Sequence, residues 1–400
     1  MLTRRLFLRA SALAAAGVGV APAWLVRAAA QAGARRKILL AIFQRGAADG
    51  LNIVVPFFER RYYDARPTLA VPEPGKTNGA IDLDGRFGLH PSLQALKPLW
   101  DSRQLAIVEA VGSPDPTRSH FDAQDFMESG TPGRLADDGW LNRSMASPSA
   151  TPSPLRAVAI GTQLPRTLRG HQSAVAISNL EQFQVKNPAA GGALERMYAT
   201  TSDAKLVASG RQTFDAVKMV ESIGRTPYVP ANGAQYQGEF GRSLQQIARL
   251  IKADVGLEVA FADMGGWDHH SNEAPQLANL LQQFGNSLAA FSRDMGDRME
   301  DIVVVTMSEF GRTVHEDGNN GTDHGHGNVM MVLGGPVRGG AVFGNWPGLE
   351  PEQLYERRDL AVTTDFRSVL GELTSRHLGR PIEEVFPGYQ RGEPIGLLKT

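Results

Sequence analysis

Nine histidines are spread unevenly along the 400-residue chain, and five of them, His269, His270, His315, His324 and His326, fall between Trp267 and Gly327. Asp268, Glu309 and Asp323 lie in the same stretch. Divalent ions such as zinc, manganese, iron or calcium are held by imidazole and carboxylate groups that converge at short range. Asp268, His270, Glu309, Asp323, His324 and His326 form such a donor set, which predicts a divalent metal centre. The spacings Asp-x-His at 268–270 and His-x-His at 324–326 let two ligands leave one extended loop, because alternate side chains of extended backbone point the same way. Glycines flank both clusters and give such loops the backbone freedom they need. The chain has no cysteine. Disulfides, thiolate nucleophiles, Cys-ligated zinc, iron–sulfur clusters and Cys-ligated haem are therefore excluded.

Each group also has a plainer use. Asp268, Ser271 or Asn272 can cap a helix that begins near Glu273. His324 and His326 can be solvated in a glycine-rich loop. Glu309 can be a helix-start charge or the partner of Arg312. Ser119, by residue type, is an N-cap for the segment that follows it. His90, His171 and His377 read as structural.

The loops that carry these residues must be delivered by regular elements. Continuous apolar runs at Ile38–Phe43, Leu105–Val108, Ala157–Ile160, Val259–Phe261 and Ile302–Val305 have the length and character of strands buried on both faces. Helical periodicity lies between them at Pro91–Trp100, His120–Glu128, Ala204–Ile223, Gly241–Ala253, Glu273–Met299 and Asp365–His377. Strand–helix alternation predicts an α/β fold, a doubly wound and mostly parallel central sheet with helices on both faces. In such sheets ligands bind beyond the carboxyl ends of the strands, which is where the clusters at 263–270 and 308–312 stand. The Pro/Gly/Ser-rich segments Ser147–Pro154 and Arg225–Gly233 read as surface loops, since alternation continues on both sides. One domain over 31–400 is expected, with a possible helical insertion at 187–253.

Forty-one Lys and Arg against 42 Asp and Glu give a formal net charge of −1, no basic field for a polyanion, so nucleic acid is not an expected partner. Residues 1–30 read as an address. Thr3-Arg4-Arg5-Leu6-Phe7-Leu8-Arg9 precedes an Ala/Gly/Val run and then Ala28-Ala29-Ala30, the order of a cleaved signal peptide, and the paired arginines resemble a twin-arginine export signal. The apolar run is short for a bilayer span and is weakened by Gly17, Gly19 and Pro22. The mature protein is thus expected in the periplasm or outside the cell, not integral to the membrane, with the twin-arginine translocation machinery as a partner. That route carries folded proteins, a reason to load a metal before export.

Phe43–Asn52, Ser119-His120-Phe121-Asp122, Gly266–His270, Ser308–Arg312 and Thr322–Gly327 together resemble the exported bacterial domain-of-unknown-function 1501 family, in order and over nearly the whole mature chain. That family is similar, more distantly, to the alkaline phosphatase superfamily of metal-dependent phosphatases, sulfatases and phosphomutases. The resemblance implies an alkaline-phosphatase-like fold. It places Asp268 and His270 as a first metal-binding pair, Glu309 after the strand that delivers a second pair, and His324 or His326 as a later lone histidine. Asp49, or less closely Gln44, takes the position of an aspartate after the first strand, and Ser119 that of the nucleophile. Position 310 is Phe where the template has His, and Asp49 stands farther from its strand.

The chemistry implied is hydrolysis of a small anionic ester, phosphate before sulfate. A metal ion would activate Ser119 or a water while Arg45, Arg118 or Arg312 neutralises the transferring group. The alternative is a catalytically inactive binding or assembly protein that keeps the fold. Formylglycine sulfatase, nucleophile-elbow hydrolase and dinucleotide oxidoreductase signatures are lacking from the sequence.

Overall fold

The computed structural model describes residues 36–146, 152–183 and 188–399. The expected signal peptide and part of the expected 147–154 loop lie outside them. Residues Arg36–Thr400 pack as one unit around a nine-stranded sheet. Its strands are β1 (Ile38–Gln44), β5 (Leu105–Gly112), β6 (Ala157–Ile160), β7 (Val175–Ile177), β8 (Val259–Met264), β9 (Ile302–Met307), β10 (Asn328–Gly334), β11 (Ala341–Phe343) and β12 (Thr364–Asp365). A small antiparallel sheet is formed by β2 (Val54–Val55), β3 (Ile81–Asp82) and β4 (Gly88–Leu89).

The order β11-β5-β10-β9-β1-β8-β6-β7, with β12 against β5, places β1 at the centre between β8 and β9, parallel to both. All seven residues of β1 are buried, as its unbroken apolar sequence requires of a strand covered on both faces. Leu39, Ala41 and Phe43 face one core with Trp140, Phe366, Val369 and Leu373. Leu40 and Ile42 point the other way and are equally buried. Helix Gly238–Lys252 packs on β6 and β8, and Glu273–Met295 packs on that helix. The fold is α/β, mostly parallel, with helices covering the sheet. Gly238–Lys252 lies in the layer that covers the sheet, while Pro188–Thr200 and Ala204–Arg225 pack on each other.

Four of the nine strands, β7, β10, β11 and β12, lie outside the expected set, and β10 decides where the site forms. β10 runs antiparallel to both β9 and β5, so its amino end lies beside the carboxyl end of β9. The loop that enters β10, 321–327, thereby reaches the same edge as the loops that leave β1, β8 and β9. Among the described residues no helix is long and apolar enough to cross a membrane.

Candidate metal centre

Four segments converge at that edge. Helix His120–Ser129 begins at Ser119, whose hydroxyl accepts from the Asp122 amide, and ends at left-handed Gly130. Ser119 therefore caps the helix and places His120 in its first turn. The other three segments are the turn after β1, the 264–272 loop after β8, and 308–313 bridged to 322–325. Gly46 makes the first contact possible. With φ at +118°, a Cβ there would stand 2.7 Å from the Asp268 amide nitrogen, so only glycine lets the turn lie against the 267–268 backbone.

The imidazoles of His120, His270 and His324 meet the Asp268 carboxylate. His324 Nε2 lies 3.0 Å from His120 Nε2 and 3.0 Å from His270 Nε2. Asp268 Oδ1 is 2.9 Å from His270 Nε2 and 3.3 Å from His324 Nε2, and its Oδ2 is 3.5 Å from His120 Nε2. Two overlapping donor sets share His324: His120, Asp268 and His324, and His270, Asp323 and His324. Asp268 and His270 are 42% and 45% exposed, which leaves the cluster open to a ligand from solvent.

The groups behind the rings fix which nitrogen faces inward. His120 Nδ1 donates to Glu309 Oε1 at 2.8 Å, and His324 Nδ1 donates to the Arg118 carbonyl at 3.0 Å. With both Nδ1–H bonds committed, the two Nε2 atoms, 3.0 Å apart, share a position that either a proton on His120 or a metal ion can fill. Tetrahedral zinc with bonds of about 2.0–2.1 Å to nitrogen spaces its ligands by about 3.3 Å, and the separations given above bracket that value. The residues thus fit a divalent metal ion.

Glu309 is fully buried and accepts from His120, the Gly46 amide at 2.9 Å, Gln124 Nε2 at 2.8 Å and Ser308 Oγ at 3.0 Å. His120 and Gln124, one helical turn apart, reach the same carboxylate oxygen. Burial raises the Glu309 carboxyl, but these hydrogen bonds, that of His120 first, outweigh it and hold it below its usual range. In turn Glu309 lifts His120 above the ordinary imidazole value. Burial and the neighbouring His120 push His324 down. Asp268 loses water to burial, yet Arg312 Nη1 at 2.7 Å lowers it on balance.

Several residues stand elsewhere than the sequence suggested. Asp49 is buried in a bidentate pair with Arg66, at 2.6 and 2.9 Å, and takes a further hydrogen bond from Glu273. Burial and the charge of Asp49 raise Glu273 well above the usual carboxylate range, so it carries the proton they share. Asp49 is consequently no free ligand. Gln44 is buried as well. Glu309 supports His120 from behind and belongs to neither donor set. His326 turns away from His324: its ring packs on Tyr355 at 4.6 Å, because 324–326 is not regular extended backbone. Arg45 pairs with Asp263 and Glu128, and Arg118 with Asp359 and Glu356. Arg312 touches the cluster through Asp268, and Asp323 through His270 at 3.9 Å.

No local signal in the sequence marks His120 as a member of this cluster, since its partner Glu309 lies 189 residues on. Phe310 is buried against Ala47 and Ala123, and its ring lies 5.0 Å from His120 and 5.1 Å from His324.

The imidazole and carboxylate cluster stands beyond the strand ends, the edge where open α/β sheets place their ligands. The chain belongs to the family described as "Protein of unknown function (DUF1501)", whose model matches residues 100–387. Solved structures similar to it include the PsFucS1 sulfatase from Pseudoalteromonas sp., 12% identical over 95% of this chain and 78% of that one, TM-score 0.41. Another is the alkaline phosphatase from the Antarctic bacterium TAB5, 10% identical over 76% and 94%, TM-score 0.32. A third is the C-terminal periplasmic domain of EcEptC from Escherichia coli in complex with Zn, 10% identical over 76% and 74%, TM-score 0.34. No curated protein sequence matches the chain.

Proposed function

We propose that the protein is an exported metal-dependent hydrolase of anionic esters, phosphate before sulfate. One observation carries the reading: the Nε2 atoms of His120, His270 and His324 converge with Asp268 at a solvent-open strand-end edge, with two of the rings locked from behind. A divalent ion bound there would supply Lewis-acid polarisation of the ester oxygen and a water of lowered pKa. His120, His270, His324, Asp268 and, in the second set, Asp323 would hold it. Glu309 and the Arg118 carbonyl keep the Nε2 lone pairs aimed inward. Arg312, buried and donating to Asp268, fixes the orientation of that carboxylate and adds positive potential near the transferring group. Ser119 stands beside His120 as a helix cap, so a water is the favoured nucleophile and Ser119 the lesser one.

Export by the twin-arginine route, with its machinery as a partner, remains part of this proposal on the strength of the Arg4-Arg5 segment. A second reading, a non-catalytic binding or assembly protein, draws on a specific observation. Asp49 and Ser119, two positions of the template machinery, are engaged in structural contacts.

The test is hydrolysis of p-nitrophenyl phosphate, bis(p-nitrophenyl) phosphate and p-nitrophenyl sulfate by the metal-reconstituted protein, beside His120→Ala and Asp268→Ala. Turnover of a phosphate ester that falls at least about a hundredfold in both variants is expected. No turnover of any ester, or turnover indifferent to both substitutions, favours the non-catalytic reading.

A further inference from the structure

Next to the metal centre, at the carboxyl ends of β6, β7 and β8, lies a cleft of about 880 Å³. Its place is the one that open parallel sheets give to ligands, and its volume is that of a small-molecule site. Its lining is unlike an apolar pocket. Four arginines, Arg45, Arg166, Arg169 and Arg242, face four acids, Asp125, Glu128, Glu239 and Asp263, with no lysine or histidine among the lining residues. Several of these charges are already matched: Arg45 with Glu128 and Asp263, and Arg166 with Asp125. The rest of the polar wall is amide and hydroxyl, including Thr162, Gln163, Ser178, Asn179, Ser243 and Gln283.

A balanced set of charges gives no net field to draw in an anion or a cation. An apolar ligand would strip water from these groups without replacing its hydrogen bonds, at a cost for each group left unpaired. Amides, hydroxyls, guanidiniums and carboxylates in alternation offer both donors and acceptors, as a sugar hydroxyl, itself both donor and acceptor, requires. We propose that the cleft binds a neutral, hydroxyl-rich ligand of the oligosaccharide class and so receives the alcohol portion of the ester.

The second half of that statement rests on the hydrolase reading; the binding itself does not. A direct chain joins the two places. Arg45 lines the cleft and donates through Nη1 to Gln124 Oε1 at 2.9 Å, Gln124 Nε2 donates to Glu309, and Glu309 holds His120. A sugar seated against Arg45 would lie on the side from which His120 is positioned.

The test is calorimetric titration of the purified protein with cellotriose, maltotriose, mannotriose and triacetylchitotriose, with a sulfated disaccharide and ADP as anionic comparators. Gln163 and Arg242 are exposed on the wall and serve as variants that leave the core intact. Binding of at least one neutral trisaccharide is expected, weakened about tenfold in Gln163→Ala and in Arg242→Ala, the scale of one lost hydrogen bond. In His120→Ala the same affinity should hold within about twofold, since the metal centre is a separate site. A wild type that takes up no metal on reconstitution yet binds sugar would sink the hydrolase reading and leave the cleft assignment standing. No neutral sugar bound, only anionic ligands bound, or affinity unmoved by both wall variants overturns the cleft assignment.

Discussion

Replacing Glu309 by Gln removes one charge and nearly no volume from the position that aims His120 at the cluster. The carboxylate accepts four hydrogen bonds, from His120, Gln124, Ser308 and the Gly46 amide. An amide has one acceptor oxygen, and its NH₂ must face at least one of these donors. Whichever way it turns, His120 Nδ1 loses the charged acceptor that makes its Nε2 a strong ligand. Outer-shell partners of ligating histidines typically account for 10–100-fold in metal affinity, or about 1.4–2.7 kcal/mol. Glu309→Gln should therefore bind zinc about 10–100-fold more weakly than the wild type. Zinc affinity is measured by competition against a chelating dye at neutral pH, with thermal unfolding of the apo forms recorded in parallel. An affinity within about twofold of wild type, with the fold retained, would refute the role assigned to Glu309 and to His120 behind it.

Three further outcomes follow from the geometry. Burial holds His90 and His377 down to about 4, against about 6.5 for an unhindered imidazole. The unfolded chain therefore takes up these protons first as pH falls. Stability is full above about pH 6.5 and is lost progressively toward pH 4, by about 3 kcal/mol per histidine. His377 donates to the Ile38 carbonyl, so His377→Gln keeps a donor without a titration and should flatten that slope by about half; an unchanged acid slope would contradict the burial argument. Arg66→Met leaves the buried Asp49 charge with its main partner removed and should cost about 3–5 kcal/mol in denaturant unfolding, while a loss under about 1 kcal/mol would show that Glu273 and Arg312 suffice. Ser119→Ala should cost about 0.5–1 kcal/mol of stability as a lost cap and leave ester turnover within a few-fold; complete loss of turnover in a folded variant would restore Ser119 as the nucleophile.

Much of the architecture was written in local pattern. The apolar runs of β1, β6, β8 and β9 read as buried strands because their side chains are covered on both faces, and the start of His120–Ser129 followed from the Ser before it. β10 was not singled out, although Val329–Leu333 is as apolar as β9, and nothing local reveals that it runs antiparallel. That reversal is what brings His324 beside His270.

Single residues were legible where spacing decides and opaque where a distant partner does. Asp268 and His270 meet across one intervening residue, as extended spacing allows. His324 and His326 have the same spacing, yet the bridge of His324 to Arg312 and the packing of His326 on Tyr355 separate them. Asp49 read as a ligand because no local signal announces Arg66, 17 residues on, folding back to claim it. His120 was hidden beside Ser119, to which the family resemblance gave the nucleophile role, and its contact with Glu309 spans 189 residues.

The central claim is that the cluster of His120, His270, His324 and Asp268 holds a divalent metal ion. Elemental analysis of the protein purified after its native export, without a metal-binding tag, tests it most directly, with His120→Ala and Asp268→Ala purified alongside. The wild type should carry about one to two equivalents of zinc, manganese, iron or calcium, and each variant should lose at least one. A wild type free of metal, with none taken up on reconstitution, or a stoichiometry that both substitutions leave unchanged, would contradict it.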